Sequence, residues 1–412
     1  MDYKPLKIVE YMKHGSGEEE YAKRRTSYGT IHTEMYPYLM DREVLKGKKY
    51  PLFVVPLLEI QILMQEVQDK SKTIQILADS LPDVAKEQFY REQLYKAVVN
   101  TNEIEGVKTT RKEVSDALDA LLNQHSRQIR LFSTVRMYHD ILSNSTLKIE
   151  NLETIRKIYD ELTEGEIAKG NDLDGALFRN NHVEIVDEKS GKIEHIPPKE
   201  EKDIVIQLSN WITFINSSAV PFLIKAFLAH YFFENIHPFY DGNGRTGRYI
   251  LSRYLSRKLD IYSGLAISQK INENKKKYYD SFSITGDFKN RAEGTFFVLN
   301  MLELLRDGQA DIIGFLTDKQ SILANFFQRM ANSRIFTEIE KDVLYLVFQS
   351  TIFVDDPKDG IKDGEIVEIL SANYPKKTLR DTIKSLNQRG IIHQTSKSPS
   401  RHIMNEVVLD SE

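Results

Sequence analysis

The sequence predicts a mostly α-helical protein of several domains. Most of the chain shows helical periodicity, with short polar turns between the periodic stretches. We find no internal repeat and no low-complexity segment, and strand-like alternation is confined to two places. The chain has 412 residues, more than one hydrophobic core usually organises, so we expect two to four domains.

The composition excludes several classes of protein. The sequence contains no cysteine, which rules out disulfides, thiolate metal sites and a cysteine nucleophile. A net charge of -4 gives no global field for holding nucleic acid or anionic lipid. The amino terminus lacks the apolar core of a signal peptide, and the apolar stretch 219–236 is interrupted by Lys225 and His230. We therefore expect a cytoplasmic protein without a membrane partner.

The first third of the chain is predicted to be an N-terminal helical region, 1–125. Residues 1–50 are charged and aromatic, and we expect them to wrap the next domain without assigning them a function. Helical patterns follow at about 56–79, 86–105 and 110–123.

The middle of the chain, 126–310, reads as one helical domain with a small hairpin. A series of helices is predicted over 128–168, and residues 182–198 alternate apolar with polar around the turn at Ser190-Gly191. Helical patterns resume over 199–216 and 219–236, break at His237-Pro238, and restart after residues 241–244 to continue to about 307.

The last segment, 330–412, is predicted to be a winged helix-turn-helix domain. Helices at about 337–348, 364–371 and 376–388 are followed by alternating stretches at 391–394 and 404–409. A local basic face is expected from Lys376, Lys377, Arg380, Lys384, Arg389, Lys397 and Arg401. This face suits DNA backbone, or it is the solvated surface of a domain that docks proteins or forms a homodimer, which we favour.

The segment 237–248, His-Pro-Phe-Tyr-Asp-Gly-Asn-Gly-Arg-Thr-Gly-Arg, carries the chemistry. Gly242 and Gly244 let backbone N–H groups turn inward, and the following helix adds its N-terminal dipole, so the loop is built to hold a polyphosphate. Arg245 and Arg248 can grip successive phosphates. The hard carboxylate oxygens of Asp241 suit Mg²⁺. His237 then lies beside the phosphate as a base.

Two other interpretations compete with an anion site in this segment. A P-loop needs Lys-Ser or Lys-Thr where this chain has Arg248-Tyr249, and a helix rather than a strand precedes the loop, so we reject it. The motif could also be a tight interhelical turn with a capping aspartate. The additional histidine and two arginines favour the anion site.

The segment resembles the signature of Fic proteins, His-Pro-Phe-x-Asp-Gly-Asn-Gly-Arg-x-x-Arg, at every fixed position, and the resemblance spans roughly residues 50–305. It implies a Fic/Fido helical bundle that transfers AMP from ATP to Ser, Thr or Tyr hydroxyls of target proteins. His237 would take the hydroxyl proton and Asp241 would hold Mg²⁺. The phosphates would be bound by Gly242, Asn243, Gly244, Arg245 and Arg248, and Phe239 would be a core anchor.

An upstream segment, Thr101-Asn-Glu-Ile-Glu105-Gly106, is similar to the family's inhibitory motif. Glutamates at a helix C-terminus interact unfavourably with the helix dipole. Taken without the 237–248 segment, they would be interpreted as solvent-exposed side chains without a function. The resemblance implies that Glu105 pairs with Arg248 and displaces the γ-phosphate. In some family members the corresponding glutamate orients a water that removes AMP, so we expect deAMPylation as a secondary activity.

The resemblance has two further implications. The hairpin would be a flap on which the target protein docks as an added strand, unless it only shields the core. Asn274, Tyr278 and Tyr279 lie where the family contacts adenine. His182, His195, His230 and His237 lack the spacing of a metal cluster and are read as structural apart from His237.

Three functions stay open. The first is the autoinhibited adenylyltransferase, and the second is a DNA-binding regulator whose Fic domain senses a nucleotide. The third keeps the enzyme but uses UTP, GTP or CDP-choline as the donor, because the loop contacts phosphates and hardly touches the base.

Overall fold

The computed structural model describes residues 3–123, 129–142, 148–167, 170–187, 189–356 and 359–405. The chain forms two compact units. The first comprises Met1–Lys72 and Lys96–Gln309, and the second comprises Thr73–Tyr95 and Ala310–Glu412. These units interleave along the chain, whereas the predicted domains 1–125, 126–310 and 330–412 are linear segments whose boundaries stay predictions.

The first unit begins with short helices and strands that the sequence analysis did not predict. Helices α1 (Leu6–Met12) and α2 (Ser16–Thr26) precede two antiparallel strand pairs. Strand β1 (Ile31–His32) pairs with β4 (Phe53–Val54), and β2 (Leu39–Asp41) pairs with β3 (Val44–Gly47).

This N-terminal part packs on later helices of the same unit. The buried guanidinium of Arg24 pairs with buried Glu293 at 2.8 Å. The amide of Asn235 exchanges two hydrogen bonds with the backbone of Tyr38, at 2.8 and 3.0 Å. Residues 1–50 therefore contact the segment that leads into the 237–248 loop.

Helices form most of the first unit, and the strongest sequence signals mark their ends. Helix α5 starts with a capping box between Thr110 and Glu113. The side chains of Asn151 and Asp260 cap α7 and α11. The helices are α3 (Leu58–Asp79), α4 (Asp83–Ile104), α5 (Arg111–Leu122), α6 (Phe132–His139), α7 (Leu152–Leu162), α8 (Glu201–Asn216), α9 (Phe222–Ile236), α10 (Asn243–Lys258), α11 (Ile261–Glu273), α12 (Lys275–Gly286) and α13 (Thr295–Asn332). A 3₁₀ turn at Phe288–Asn290 precedes α13.

Helix α13 differs from the prediction, which placed the end of the helical pattern near 307. It continues without a break to Asn332, so its later residues belong to the second unit. Gly308 lies at this point but does not cap the helix, which continues through it.

Helix α9 is the core helix of the first unit. It is apolar on all sides and most of its side chains are buried, as expected of a helix surrounded by others. Trp211 of α8 donates its indole N–H to the carbonyl of Ala229 at 2.8 Å. Within the described part of the chain, no helix is both long and apolar enough to cross a bilayer.

The predicted hairpin is present. Strand β5 (Ile185–Val186) pairs antiparallel with β6 (Ile193–His195), with Ile185 opposite His195. The strands are shorter than the alternation suggested, and residue 188 of the connecting turn lies outside the described residues.

The second unit contains a compact motif of helices and a small sheet. Helix α14 (Glu338–Phe353) is followed by β7 (Ile361–Lys362), α15 (Asp363–Leu370), α16 (Lys376–Gln388), β8 (Ile392–Lys397) and β9 (Ser400–Met404). The sheet is antiparallel with strand order β7-β9-β8. Helix α16 buries Leu379, Ile383 and Leu386, spaced for one face. The winged-helix assignment stays a prediction.

One detail of the C-terminal prediction is corrected. Arg401 is not part of an exposed basic face, because its side chain is buried and donates to the carbonyl of Gly360 at 3.0 Å. Strand β9 ends at Met404, and residues 406–409 of the alternating stretch predicted at 404–409 lie outside the described part.

Candidate active site

His237 lies at the C-terminal end of α9, where the chain leaves the helix. Its backbone is left-handed, with φ of 50°, so the helix ends there and Pro238 follows. The guanidinium of buried Arg179 donates to the carbonyl of His237 at 2.8 Å, and the backbone N–H of Arg179 donates to that of Pro238 at 3.1 Å. Arg179 therefore fixes the backbone of the predicted base, and sequence reasoning missed it because it precedes His237 by 58 residues.

The imidazole of His237 is neutral at physiological pH. Burial, followed by His195 and the charge of Arg179, lowers its pKa to about 3, while a hydrogen bond with the backbone of Glu234 acts in the opposite direction. A neutral ring has a free lone pair, which a general base needs.

The loop between α9 and α10 is held by side chains that point inward. Gly242 has φ of 77° and is the N-cap of α10. The amide of Asn243 accepts from the N–H of Phe239 at 2.9 Å and donates to its carbonyl at 2.8 Å. Phe239 stacks on Tyr159 with ring centroids 3.7 Å apart. The Asn243 side chain therefore closes the loop, which leaves its backbone N–H rather than its amide for a phosphate.

Arg245 and Arg248 lie on the first turns of α10 and are both buried. Glu166, just after α7, binds Nη1 of Arg245 at 2.5 Å, and Arg130 is 3.5 Å from the other oxygen of Glu166. The sequence predicted both arginines as site residues but did not predict Glu166.

Arg248 is gripped by the end of α4. Its Nε donates to the hydroxyl of Thr101 and its Nη2 to the Thr101 carbonyl, both at 3.0 Å. Nη2 also pairs with Oε1 of Glu105 at 2.9 Å. Burial opposes the charged form of Arg248, but nearby acidic groups, Glu105 first, raise its pKa. The structure thus brings the predicted pair together.

The carboxylate of Glu105 also lies against the N-terminal turn of α10. A Cβ at Gly244 would overlap Oε1 of Glu105 and Nη1 of Arg248, so only glycine allows this approach. First-turn N–H groups and the helix dipole favour an anion at this point. Glu105 therefore occupies a position that suits a phosphate oxygen.

Asp241 precedes this turn and is 37% exposed at its side chain. Its Oδ1 accepts from the N–H of Gly242 at 2.6 Å and is 3.8 Å from Nη2 of Arg245. Among the described residues no three acidic or histidine side chains form a metal cluster. One carboxylate still fits a Mg²⁺ ion held mainly by substrate phosphates and water.

Glu234 is a second buried carboxyl beside Arg248 that sequence reasoning missed. Burial raises its pKa to about 8, with opposing effects from Arg248 and Glu105. Its Oε1 has no hydrogen-bond partner among the described residues. Glu234 fills the space beside Gly247, where a Cβ would collide with it. The carboxyl is therefore largely protonated at neutral pH.

The three residues predicted on the adenine side differ in exposure. Tyr278 is buried and its hydroxyl is 2.7 Å from Nε2 of His230, so it is a core residue. Tyr279 is 48% exposed and packs edge-on against Tyr278. The amide of Asn274 donates to the carbonyl of Lys270 at 3.0 Å. Of the three, Tyr279 alone offers an exposed aromatic surface.

The flap lies next to the catalytic loop. His195 of β6 is 2.7 Å from the carbonyl of Asn235, and burial lowers its pKa to about 4. The N–H of Ile193 donates to Glu43 at 3.3 Å. Val186 is 44% exposed at the flap surface. His195 therefore holds strand β6 against the backbone of Asn235.

These features define a helical domain with a histidine beside an anion-binding helix N-terminus. The Fic/DOC family model matches residues 149–255, which include the whole 237–248 loop. Residues 149–255 of this chain are therefore similar to a Fic/DOC domain.

Two curated relatives are similar to about half of the chain. The chain is 28% identical over 228 residues to a protein adenylyltransferase Fic of Drosophila mojavensis, covering 53% of this chain and 42% of the relative. It is 26% identical over 225 residues to that of Nematostella vectensis, covering 53% and 50%. The chain thus spans half or less of the length of these relatives.

A crystal structure of a Fic family protein from Desulfovibrio desulfuricans shares the fold. The TM-score is 0.51 at 19% sequence identity, and the match covers 85% of this chain and 96% of that chain.

Proposed function

We propose that this chain transfers AMP from ATP to hydroxyl side chains of other proteins, and that Glu105 inhibits the reaction. The observation that carries the proposal is the geometry at α10: a neutral histidine, a helix N-terminus and two arginines converge there. The naming of the curated relatives as protein adenylyltransferases supports the same activity.

The reaction needs one bond to form and one to break. The target hydroxyl oxygen attacks the α-phosphorus of ATP, and the bond to the bridging oxygen breaks as pyrophosphate leaves with its electron pair. His237 accepts the hydroxyl proton on its neutral ring. The negative charge of bound phosphates would raise the low pKa of His237 and so strengthen it as a base.

The remaining residues position the triphosphate. The N–H groups of Gly242, Asn243 and Gly244 and the α10 dipole stabilise negative charge, and Arg245 and Arg248 neutralise the outer phosphates. Mg²⁺, bound to the phosphates and held by Asp241, would supply further charge neutralisation. Positioning and charge provide most of the rate in this type of transfer.

Glu105 inhibits by competition for Arg248 and for the helix N-terminus. Its carboxylate and the outer phosphates of ATP cannot occupy the same place, so ATP must bind with a shifted or disordered triphosphate while Glu105 stays. Removal of this carboxylate should free both binding elements.

The proposal is tested with wild type, Glu105→Gly and His237→Ala incubated with Mg²⁺ and ATP labelled on the α-phosphate. Label on the protein and on a cell extract should be weak in wild type, strong in Glu105→Gly and absent in His237→Ala. ATP labelled on the γ-phosphate should give none, because pyrophosphate leaves.

Glu103→Gly is the matched control, since Glu103 lies on the same helix end but bonds Asn272 at 3.0 Å rather than Arg248. It should behave as wild type.

If no variant transfers α-label, the AMP-transferase function fails. Repeating the assay with labelled UTP, GTP and CDP-choline then tests the other donors. To test deAMPylation, a target carrying labelled AMP is mixed with wild-type protein or with Glu105→Gly. Loss of label with wild type but not with Glu105→Gly would reveal deAMPylation.

A second function is favoured by the surface of α16. Lys376, Lys377, Arg380 and Lys384 are exposed, and no carboxylate of the described residues lies within 4 Å of them. Such a row of cations suits DNA phosphates, with the Fic domain as a nucleotide sensor. Three results together would establish this regulator. The chain should bind DNA with an affinity that falls steeply with salt, the double variant Arg380→Gln with Lys384→Gln should lose that affinity, and no variant should transfer α-label. A homodimer or a docked protein target on this face would leave DNA affinity negligible.

A further inference from the structure

A second cavity lies in the first unit, beside α8, α9 and α10. Its volume is about 600 Å³, within the usual range for a site that takes a small organic molecule. Its lining on α10 includes Gly247, Ile250, Tyr254 and Arg257, which recur every three or four residues and so share one helix face. Gly244 and Arg248, which form the catalytic anion site, do not line it.

The floor of the cavity is apolar. It is formed by aromatic and aliphatic side chains of the three helices and of the segment before α7, namely Ile149, Trp211, Ala226, Ala229, Phe233 and Ile250. The indole N–H of Trp211 is already bonded within the protein, so this ring offers a dry surface. An apolar body fits this part of the cavity.

The lining of the cavity also carries basic side chains, namely Lys148, Lys225, Arg253 and Arg257. Lys148 is 3.9 Å from the one acid of the lining, Glu150, and Arg253 donates to the hydroxyl of Tyr249 at 3.1 Å. No carboxylate of the described residues lies within 4 Å of Lys225, whose ammonium donates to the carbonyl of Ser217 at 2.6 Å. Burial, followed by the charges of Lys258 and Arg257, lowers the pKa of Lys225. Lys225 and Arg257 thus repel one another and would gain from an anion.

One polar atom in the lining is also left without a partner. The hydroxyl of Tyr254 is shielded from solvent and makes no hydrogen bond within the described chain. Buried polar atoms are normally satisfied, so an unpartnered one marks a place where a ligand or water completes the site.

We propose that this cavity is a ligand site for a small amphipathic anion, with an acidic head on Lys225 and Arg257 and an apolar body against Trp211 and Phe233. The site is separate from the ATP site and does not depend on the proposed function.

The test uses 8-anilinonaphthalene-1-sulfonate as a fluorescent probe of the folded full-length chain. We expect one saturable site. Lys225→Met combined with Arg257→Gln should weaken it about tenfold, since charge-assisted contacts are lost. Lys258→Met, which removes a neighbouring cation that does not line the cavity, should bind as wild type. Ile250→Trp, which fills the apolar floor, should also abolish binding without removing any charge.

Competition identifies the chemistry. Decanoate and 1-naphthoate should displace the probe, whereas the cation decyltrimethylammonium should not. The stronger of the two anionic competitors shows whether the site prefers a ligand with an aliphatic or an aromatic body. Equal probe binding by wild type, the charge variant and Ile250→Trp would overturn the proposal, as would equal displacement by the cation. Melting temperatures of all variants, compared with wild type, separate loss of the site from loss of the fold.

Discussion

Arg245 and Arg248 each hold a carboxylate where a phosphate is proposed to bind. Glu105 pairs with Arg248, and Glu166 pairs with Arg245. The sequence pointed to the first glutamate only. The arginine of the second pair is almost wholly buried, at 4% side-chain exposure, so its ion pair is little screened by solvent. Glu166 therefore competes with any anion for Arg245.

Replacement of Glu166 by Gln should strengthen ATP binding. The neutral amide removes the closer of the two carboxylates beside Arg245 and leaves Asp241 at 3.8 Å, so a phosphate can then pair with the guanidinium. We expect the Kd for ATP to fall about tenfold, equivalent to about 1.4 kcal/mol. Calorimetric titration in a His237→Ala background measures binding without turnover. Glu161→Gln is the control, since Glu161 pairs with Arg136 outside the loop. An unchanged or weaker affinity would show that Glu166 positions Arg245 rather than competing with ATP.

At this scale the sequence predicted what is local and missed what is distant. His237, Asp241, Arg245 and Arg248 lie within twelve residues, so their spacing alone indicated an anion site. The pairing of Glu105 with Arg248 joins residues 143 apart, and only the family resemblance suggested it. Arg179, Glu166 and Glu234 carry no local motif. Burial of charged side chains next to one another becomes visible only once the helices pack.

At the scale of elements, the C-terminal end of α4 holds the side chain of Arg248. Arg248 makes three hydrogen bonds to it, and two of them go to Thr101 rather than to Glu105. The hydroxyl of Thr101 is thus part of the restraint. Gly106, with φ of 73°, ends the helix and fixes where Glu105 falls.

Thr101→Val should relieve part of the inhibition. Valine keeps the shape of threonine but leaves Nε of Arg248 without its acceptor, which destabilises the restrained state by about 1 kcal/mol. We expect α-label transfer to rise about fivefold above wild type and to stay below Glu105→Gly. Thr213→Val, which removes an exposed hydroxyl from α8, serves as the control. Transfer no higher than in wild type would mean that Glu105 restrains Arg248 alone.

Element ends were predictable where capping residues mark them. Thr110 and Thr337 start α5 and α14 with capping boxes, within a residue of the predicted starts. The end of α13 was not predictable, because its apolar periodicity continues past 307 and tertiary packing decides where such a helix stops. The short strands of the N-terminal part have too few residues to show alternation.

At the scale of the whole molecule, four buried groups make the stability depend on pH. Burial holds His195, His230 and His237 neutral, with pKa values lowered to about 4, 3 and 3. Burial holds Glu234 protonated, with its pKa raised to about 8. All four lie in the first unit, close to the candidate active site.

The signs of these effects are opposite. Below pH 6.5 the unfolded chain takes up protons on the histidines that the folded chain does not, so stability falls as the pH falls. Between about pH 4.5 and 8 the folded chain keeps a proton on Glu234 that the unfolded chain releases, so this group lowers stability as the pH rises. Above about pH 7.5 only the effect of Glu234 remains among the four groups, and their combined effect should place the highest melting temperature near pH 7.

Glu234→Gln isolates the alkaline side of this profile. Relative to Glu234→Gln, wild type should lose about 1–2 kcal/mol of stability between pH 6.5 and 8, since one pKa unit corresponds to 1.36 kcal/mol. The glutamine variant has no proton to lose there, so its melting temperature should not fall over this range, whatever its absolute value. Glu194→Gln, an exposed change on β6, should keep the wild-type slope. If wild type and Glu234→Gln have the same slope, Glu234 is ionised in the folded chain, and its charge is then shared with Glu105 on Arg248.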